Sequence, residues 1–267
     1  RLATGIKLKD KGLYVVVFNP LSFDRTDVVR VPRFALRGSF DLIDEETDET
    51  LGYQVIRIDS HQATVPYAAH RYARGQFDRQ ELFDLVFVAE DVPSLGYKTY
   101  RLVPKEETNT FSSSLVLGEN SLENSFFKVT LDLQTGAIES IYDKELSREI
   151  VDRNAPHKLN QFIARWVKTG EQASPRKARI RKGQAGPVCG SLIVSSRGAG
   201  CPQLIQEITL YDKIKRIDIA NRILKDSTPL LEIYFAFPFK IDNPDFRFEG
   251  SNCVIKPLRD QFPGSNS

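Results

Sequence analysis

Apolar residues in this chain come in short runs, most of them alternating with polar positions and separated by Gly, Pro, Asn or Asp. A period of two marks a strand with one buried face, and the interruptions mark turns. The stretch "LYVVVFNPLSFDRTDVVRVP" (Leu13 to Pro32) reads strand, turn, strand, its first run ending at Asn19-Pro20. Strands are predicted first at Tyr14–Phe18, Val28–Val31, Phe40–Ile43, Tyr53–Ile58, Leu82–Val88 and Lys98–Val103. The segments "DEETDETLG" and "AEDVPSLG" between them read as solvated turns. A polar stretch, "PKEETNTFSSS" (Pro104 to Ser114), reads as a linker or boundary.

The strand pattern resumes at Phe126–Leu131, Ala137–Tyr142, Phe162–Val167, Ser191–Ser195, Leu204–Tyr211, Ile214–Leu224, Leu231–Phe239 and Phe246–Phe248. In "RIDIANRIL" one face carries Ile217, Ile219, Asn221 and Ile223, and the other Arg216, Asp218, Ala220 and Arg222. That is a half-buried strand with a charged second face. "LYDKIKRI" places Asp212-Lys213 in a tight hairpin, and "LDLQTGAIESIYD" places a turn at Gln134–Gly136. Helical signal is confined to "DKELSREIVDR" (Asp143 to Arg153), enough for a turn or two. Thr169 to Pro187 reads as a long polar loop or hairpin tip. The expectation is an all-β protein of two sandwich-like units, residues 1–107 and 108–267.

A length of 267 residues suits two such units, and 41% hydrophobic residues suffice for real cores. The net charge of +2 argues against nucleic acid or an acidic membrane as partner. The basic run "RKARIRK" (Arg176 to Lys182) reads as a solvated loop. No apolar run approaches the roughly 18 residues of a membrane span, and "RLATGIKLKDKG" at the start lacks an apolar signal core. The chain begins with Arg and contains no Met, so it is expected to be a piece of a longer protein. Cys189, Cys201 and Cys253 form no framework, so reduced thiols and a cytoplasmic location are expected; a Cys189–Cys201 bridge stays open.

Candidate chemistry is sparse. His61, His70 and His157 stand outside any metal-ligand spacing and read as surface or core residues. A glycosidase needs two carboxyl groups roughly 5–10 Å apart in a cleft. Glu232, Asp242, Asp245, Glu249 and Asp260, set among aromatics and arginines, come nearest. Structural or ligand-contacting roles are expected for them rather than catalysis. There is no G-x-S-x-G, P-loop or dinucleotide fingerprint. The late aromatics Tyr234, Phe235, Phe237, Phe239, Phe246 and Phe248 are expected mostly in sheet core. The polar-aromatic mixture of "RFEGSNCVIKPLRDQFPGSNS" also suits a sugar cleft.

Several blocks together carry a resemblance. "VVVFNPLSFDRTDVV" (residues 15–29) resembles the start of the β region that follows the catalytic domain in family 38 glycoside hydrolases, the retaining α-mannosidases. "LENSFFKVTLDLQTGAIESIYDKELSREIV" (Leu122 to Val151), "QEITLYDKIKRIDIANRI" and "EIYFAFPFKIDNPDFRFEG" resemble its continuation, and "RDQFPGSN" (Arg259 to Asn266) a segment of bacterial members. The resemblance implies a small β-sandwich (1–107) followed by part of a large galactose-mutarotase-like supersandwich (108–267), cut off on its C-terminal side. It implies a catalytic barrel elsewhere in the longer protein, holding zinc, nucleophile and acid/base. No catalytic residue, metal ligand or cofactor is therefore expected in this chain.

By the same resemblance, Arg247, Glu249, Arg259, Asp260 and Asn266 are expected at the rim of the active site. The implied partners are the barrel of the same protein and, through the whole enzyme, an α-mannoside oligosaccharide, with self-association also open. Nucleic acid and membrane are not expected. Two alternatives remain. One is a stand-alone carbohydrate-binding module. The other is a mutarotase-type enzyme, since "TGAIESIYD" also suits that fold, with His157 the single histidine of the second unit.

Overall fold

A computed structural model describes residues 5–6, 8–34, 38–58 and 82–262. His61, His70 and Asn266 lie outside the described residues. Among those described there is no α-helix, and the chain is built from strands in six sheets. No helix is long and apolar enough to cross a membrane.

The first seven strands are β1 (Leu13–Phe18), β2 (Arg25–Phe34), β3 (Ser39–Asp44), β4 (Thr50–Leu51), β5 (Tyr53–Ile58), β6 (Leu82–Val92) and β7 (Tyr97–Lys105). They pair only among themselves, as the sheets β1-β7-β3-β4 and β2-β6-β5. Between the two sheets lies a closed core of Phe40, Leu42, Leu85, Phe87, Ala89, Tyr100 and Leu102, flanked by Val15, Val17, Val29 and Val31. Alternation decides which residues enter it. In β3 Phe40 and Leu42 point in while Asp41 and Ile43 are only half-buried. The run "LVFVA" in β6 has no polar face, because both of its faces are covered. Leu85, Phe87 and Ala89 enter the sandwich, while Val86 and Val88 enter a second cluster with Ile56, Val188, Cys189 and Tyr211.

The remaining strands are β8 (Val116–Leu117), β9 (Ser121–Glu123), β10 (Phe127–Leu131), β11 (Ile138–Asp143), β12 (Arg148–Glu149), β13 (Gln161–Trp166), β14 (Gln172–Ala173), β15 (Arg179–Ala185), β16 (Cys189–Gly198), β17 (Cys201–Tyr211), β18 (Ile217–Leu224), β19 (Leu231–Ala236), β20 (Phe248–Gly250) and β21 (Cys253–Ile255). The sheets β12-β11-β10-β9-β8 and β15-β16-β17-β18 face each other across the largest core. Leu122, Val129, Leu131, Ile138, Leu192, Val194 and Ile208 are fully enclosed there, with Ile217 and Ile219 of β18 packed against them. A third sheet, β14-β13-β19, covers a small cluster of Phe162, Ala164, Cys201 and Leu204.

The β10–β11 turn is where the sequence places it. Asp132 Oδ1 accepts from the Thr135 amide at 2.7 Å and the Gln134 amide at 3.2 Å. Gly136 has φ +73°, and a Cβ there would lie 2.2 Å from Val194 Cγ1, so both backbone and packing require glycine.

Several expectations are corrected. Asp143 to Arg153 forms no helix: residues 144–147 are a turn between β11 and β12, with the Asp143 carboxylate accepting from the Glu145 and Leu146 amides. The polar stretch 169–187 is a loop only in part: "RIRKGQA" is edge strand β15, paired with β16 and with its charges in solvent, a usual composition for an exposed sheet edge. "DEETDE" is not wholly solvated: Asp44 and Glu45 are buried, held by Lys98 at 3.2 Å and by Arg101 Nε at 2.6 Å. The β17–β18 connection spans Asp212 to Arg216, longer than a two-residue hairpin.

The stretch 104–114 is docked. Asn109 Nδ2 donates to Phe40 O at 2.8 Å, and the Phe111 ring meets the Tyr53 ring edge-on at 5.3 Å. Ser113 Oγ and the Ser114 amide donate to Asp212 at 3.0 and 2.6 Å. Around the cluster of Val86, Val88, Val188, Cys189 and Tyr211, the two halves are also tied by polar contacts. Gln54 Oε1, on a buried residue, accepts from the Cys189 and Val188 amides at 3.0 and 3.3 Å. Gly186 lets that amide approach, since a Cβ would sit 2.3 Å from Gln54 Cδ. Arg216 reaches back to Asp27 of β2 at 2.7 Å, and Lys213 to Glu90 of β6 at 3.1 Å.

Candidate functional site

The C-terminal end of the described chain, from residue 231, is built differently. Edge strand β19 pairs with β13 from Gln161↔Ala236 to Trp166↔Leu231. Its inward residues Leu231, Ile233 and Phe235 pack on the Phe162–Leu204 cluster. Outward, Glu232 takes an ion pair from Arg165 at 3.3 Å and a hydrogen bond from the Tyr234 hydroxyl, which raises the phenol pKa. Beyond β19 the chain stays close to residues 150–152: Lys240 N donates to Ile150 O at 2.7 Å and Asp152 N to Pro238 O at 2.9 Å. This brace holds Phe237 and Phe239 side by side, near-parallel at 6.4 Å between ring centres.

The expectation that the late aromatics are mostly core is wrong for this face. Phe235 alone of the six packs on a core cluster; Tyr234, Phe237, Phe239, Phe246 and Phe248 are exposed. Ile241, Val254, Leu258 and Phe262 join them, Phe262 at 88% exposure. Of these, Tyr234, Phe248 and Val254 stand on strands and the rest on the connecting segments, so the exposed apolar area spans β19, the β20–β21 hairpin and the chain around them.

The loop residues divide among roles. Arg247 chelates Asp245 at 2.6 Å, with Lys256 on the other oxygen at 3.5 Å. The bonded Arg247 guanidinium, with Lys256 beside it, holds the Asp245 carboxyl below its usual range. Asp260 closes a turn: its carboxylate accepts from Lys256 N at 2.9 Å, and its own amide donates to Lys256 O at 3.1 Å. Glu249 projects from the β20–β21 hairpin opposite Val254 and is exposed, as is Arg259. The hairpin thus gathers Arg247 and Glu249, Asp260 caps the following turn, and Asn266 is outside the described residues. A two-stranded hairpin of this size is marginal without further packing.

A general acid needs a carboxyl pushed up by burial. Asp245 is pulled the other way, Glu232 is tied to Arg165 and Tyr234, and Asp242, Asp245, Glu249 and Asp260 are exposed. Among the described residues no three His, Cys, Asp or Glu side chains converge on one position. His157 sits half-buried in the turn before β13. All three cysteines are free; Cys189 and Cys201 belong to different clusters, and burial pushes the Cys189 thiol up to about 11. What this face offers is contact: flat aromatic area, fixed charges and an open strand edge.

The sequence pattern of the glycosyl hydrolases family 38 C-terminal domain matches residues 122–261, more than half of the chain. The chain belongs to glycoside hydrolase family 38. A probable alpha-mannosidase of Arabidopsis thaliana is 30% identical over 125 residues, covering 45% of this chain and 12% of that protein. Two Enterococcus faecalis structures share the fold. One, described as a family 38 glycosyl hydrolase, has a TM-score of 0.56 at 13% identity, covering 83% of this chain and 32% of its own. The other, described as an alpha-mannosidase, has a TM-score of 0.57 at 14% identity, covering 84% and 31%. The chain therefore spans about an eighth of the Arabidopsis protein and about a third of each Enterococcus chain.

Proposed function

We propose that this chain is the C-terminal β-sandwich portion of a retaining α-mannosidase, and that its exposed C-terminal face packs against the catalytic barrel of the same protein. The observation that carries this reading is the exposed apolar residues from Tyr234 to Leu258, which lie within the family-matched segment. Exposed apolar patches of this kind mark interaction surfaces. In this reading Arg247, Glu249, Arg259, Asp260 and Asn266 complete the cleft rim and touch distal sugar or barrel. The barrel holds zinc and both catalytic carboxyl groups, and hydrolysis of terminal α-mannosides runs through a covalent glycosyl-enzyme. The division at about residue 107 separates a small sandwich from part of a mutarotase-like one, and no described sheet mixes strands from the two sides. Three free thiols support a cytoplasmic location.

The test is kinetic. In the full-length protein, alanine at Arg247, Glu249, Arg259 or Asp260 lowers kcat/KM for a mannose disaccharide while sparing an aryl mannoside, which lacks the distal sugar. Unchanged kcat/KM for the disaccharide in all four variants would count against the rim role. The second reading, a carbohydrate-binding module, is favoured by the exposed, near-parallel Phe237 and Phe239 rings. Saturable binding of mannose oligosaccharide by the 267-residue chain, lost in Phe237→Ala, would select it instead.

A further inference from the structure

The charged face of β18 opens on a cleft of about 380 Å³ between the sheets β2-β6-β5 and β15-β16-β17-β18. That volume lies within the roughly 300–1,000 Å³ of small-molecule sites. Aliphatic side chains of β2, β5 and β6 form one wall, and Arg30, Glu207, Thr209, Arg216, Asp218 and Arg222 supply the polar lining. None of residues 231–262 lines it, so it is separate from the face described above.

Two of its three arginines are already ion-paired. Arg30 is paired with Asp84. Arg216 lies 2.7 Å from Asp27 and 2.9 Å from Asp218, the second contact without hydrogen-bond alignment, and it stacks over the Tyr211 ring at 4.8 Å. Glu207 accepts from Ser191 Oγ at 2.9 Å. Arg222, in register with Ile205, is exposed and has no ion-pair partner among the described residues. One guanidinium fork is therefore unanswered at the cleft, and its geometry fits one carboxylate. Around it stand acceptors (Glu207, Asp218), a donor (Arg30) and a hydroxyl that does both (Thr209). Such a mixture suits a body rich in hydroxyl groups.

We propose that this cleft binds an acidic sugar, a hexuronate unit, with its carboxylate on Arg222 and its hydroxyls on Glu207, Arg30 and Thr209. The Arg222 fork can receive one carboxylate, while the Glu207 carboxylate, bonded only to a hydroxyl, disfavours a phosphate dianion. The cleft lining contains no aromatic side chain except Tyr211, whose ring is already covered by Arg216, so base stacking has no platform and a nucleic acid is disfavoured. The proposal goes beyond the mannosidase reading and does not need mannoside turnover to be true.

The test is titration calorimetry on the 267-residue protein with glucuronate, mannuronate, glucose, acetate and inorganic phosphate. The expected result is saturable hexuronate binding, about tenfold or more tighter than glucose, acetate or phosphate. Arg222→Gln should remove about tenfold of the hexuronate affinity while leaving Tm unchanged, and Glu207→Gln should weaken it while keeping the preference for the acid. Absence of saturable hexuronate binding, phosphate binding as tight as hexuronate, or full hexuronate affinity in Arg222→Gln would each overturn the assignment. None of these outcomes depends on α-mannosidase activity, so failure here and failure of the mannosidase reading are separate events.

Discussion

The junction between the two sandwich units and the C-terminal face are both apolar surfaces bordered by charge, yet they end differently. At the junction, Val86 and Val88 on the second face of β6 meet Val188, Cys189 and Tyr211, and Gln54 fills the hydrogen-bonding needs of two buried amides. At the C-terminal face, Phe237, Phe239, Phe246 and Phe248 of comparable size meet solvent, and the β20–β21 strands pair only with each other. Both stretches are rich in apolar residues. The difference teaches that apolar periodicity assigns a side chain to a face, while burial depends on whether another layer is present to cover it. The junction is completed by this chain; the C-terminal face is where we place a contact with the rest of the longer protein.

The contrast predicts unequal responses to substitution. The largest should come from the closed side: Phe87→Ala, in a fully enclosed position, should cost about 3–5 kcal/mol in urea unfolding. Gln54→Ala should come next. It strands the Val188 and Cys189 amides at a cost of about 2 kcal/mol, and Cys189 should become reactive to a thiol reagent at lower denaturant than in the parent protein.

Acid should also act on the closed side. Burial alone would raise the Asp132 pKa, but Lys158 and the Thr135 amide and hydroxyl outweigh it and hold the carboxyl at about 2, against an ordinary 3.8. The folded value is the depressed one, so the stabilisation is complete above about pH 4 and is lost as pH falls through about 2. The size is about 2 kcal/mol. Asp132→Asn should flatten that limb of a Tm-against-pH curve. The smallest effect belongs to the open side. Phe237→Ser and Phe246→Ser, both on exposed positions, should change the stability of this chain by no more than about 0.5 kcal/mol. A loss of several kcal/mol in either would show that the face is already covered.

Much of this architecture was legible. Every run read as a strand overlaps an observed one, since alternating or continuous apolar stretches between Gly, Pro and Asn leave few other structures. The charged face read in "RIDIANRIL" is the face that lines the cleft: Arg216, Asp218, Ala220 and Arg222 all border it. Strand β15 was missed because an edge strand with one paired side can be strongly basic, and its signal is pairing rather than periodicity. The buried roles of Asp44 and Glu45 depend on Lys98 and Arg101, more than 50 residues away, so no local pattern marks them. Gln54 gave no signal either, because a polar residue in an alternating strand reads as solvent-facing until its partner sheet is known. The residues expected at a cleft rim were picked out only through the family resemblance, and the structure adds that Arg247 and Asp260 have local partners already.

The most direct test is amide hydrogen exchange across residues 231–262, measured on this chain alone and on the longer protein that contains it. The account predicts fast exchange over 237–262 in the isolated chain and strong protection of the same amides in the longer protein, with the β6 and β16 amides slow in both. Equal, fast exchange of residues 237–262 in both would contradict it, because the face would then have no partner in its own protein.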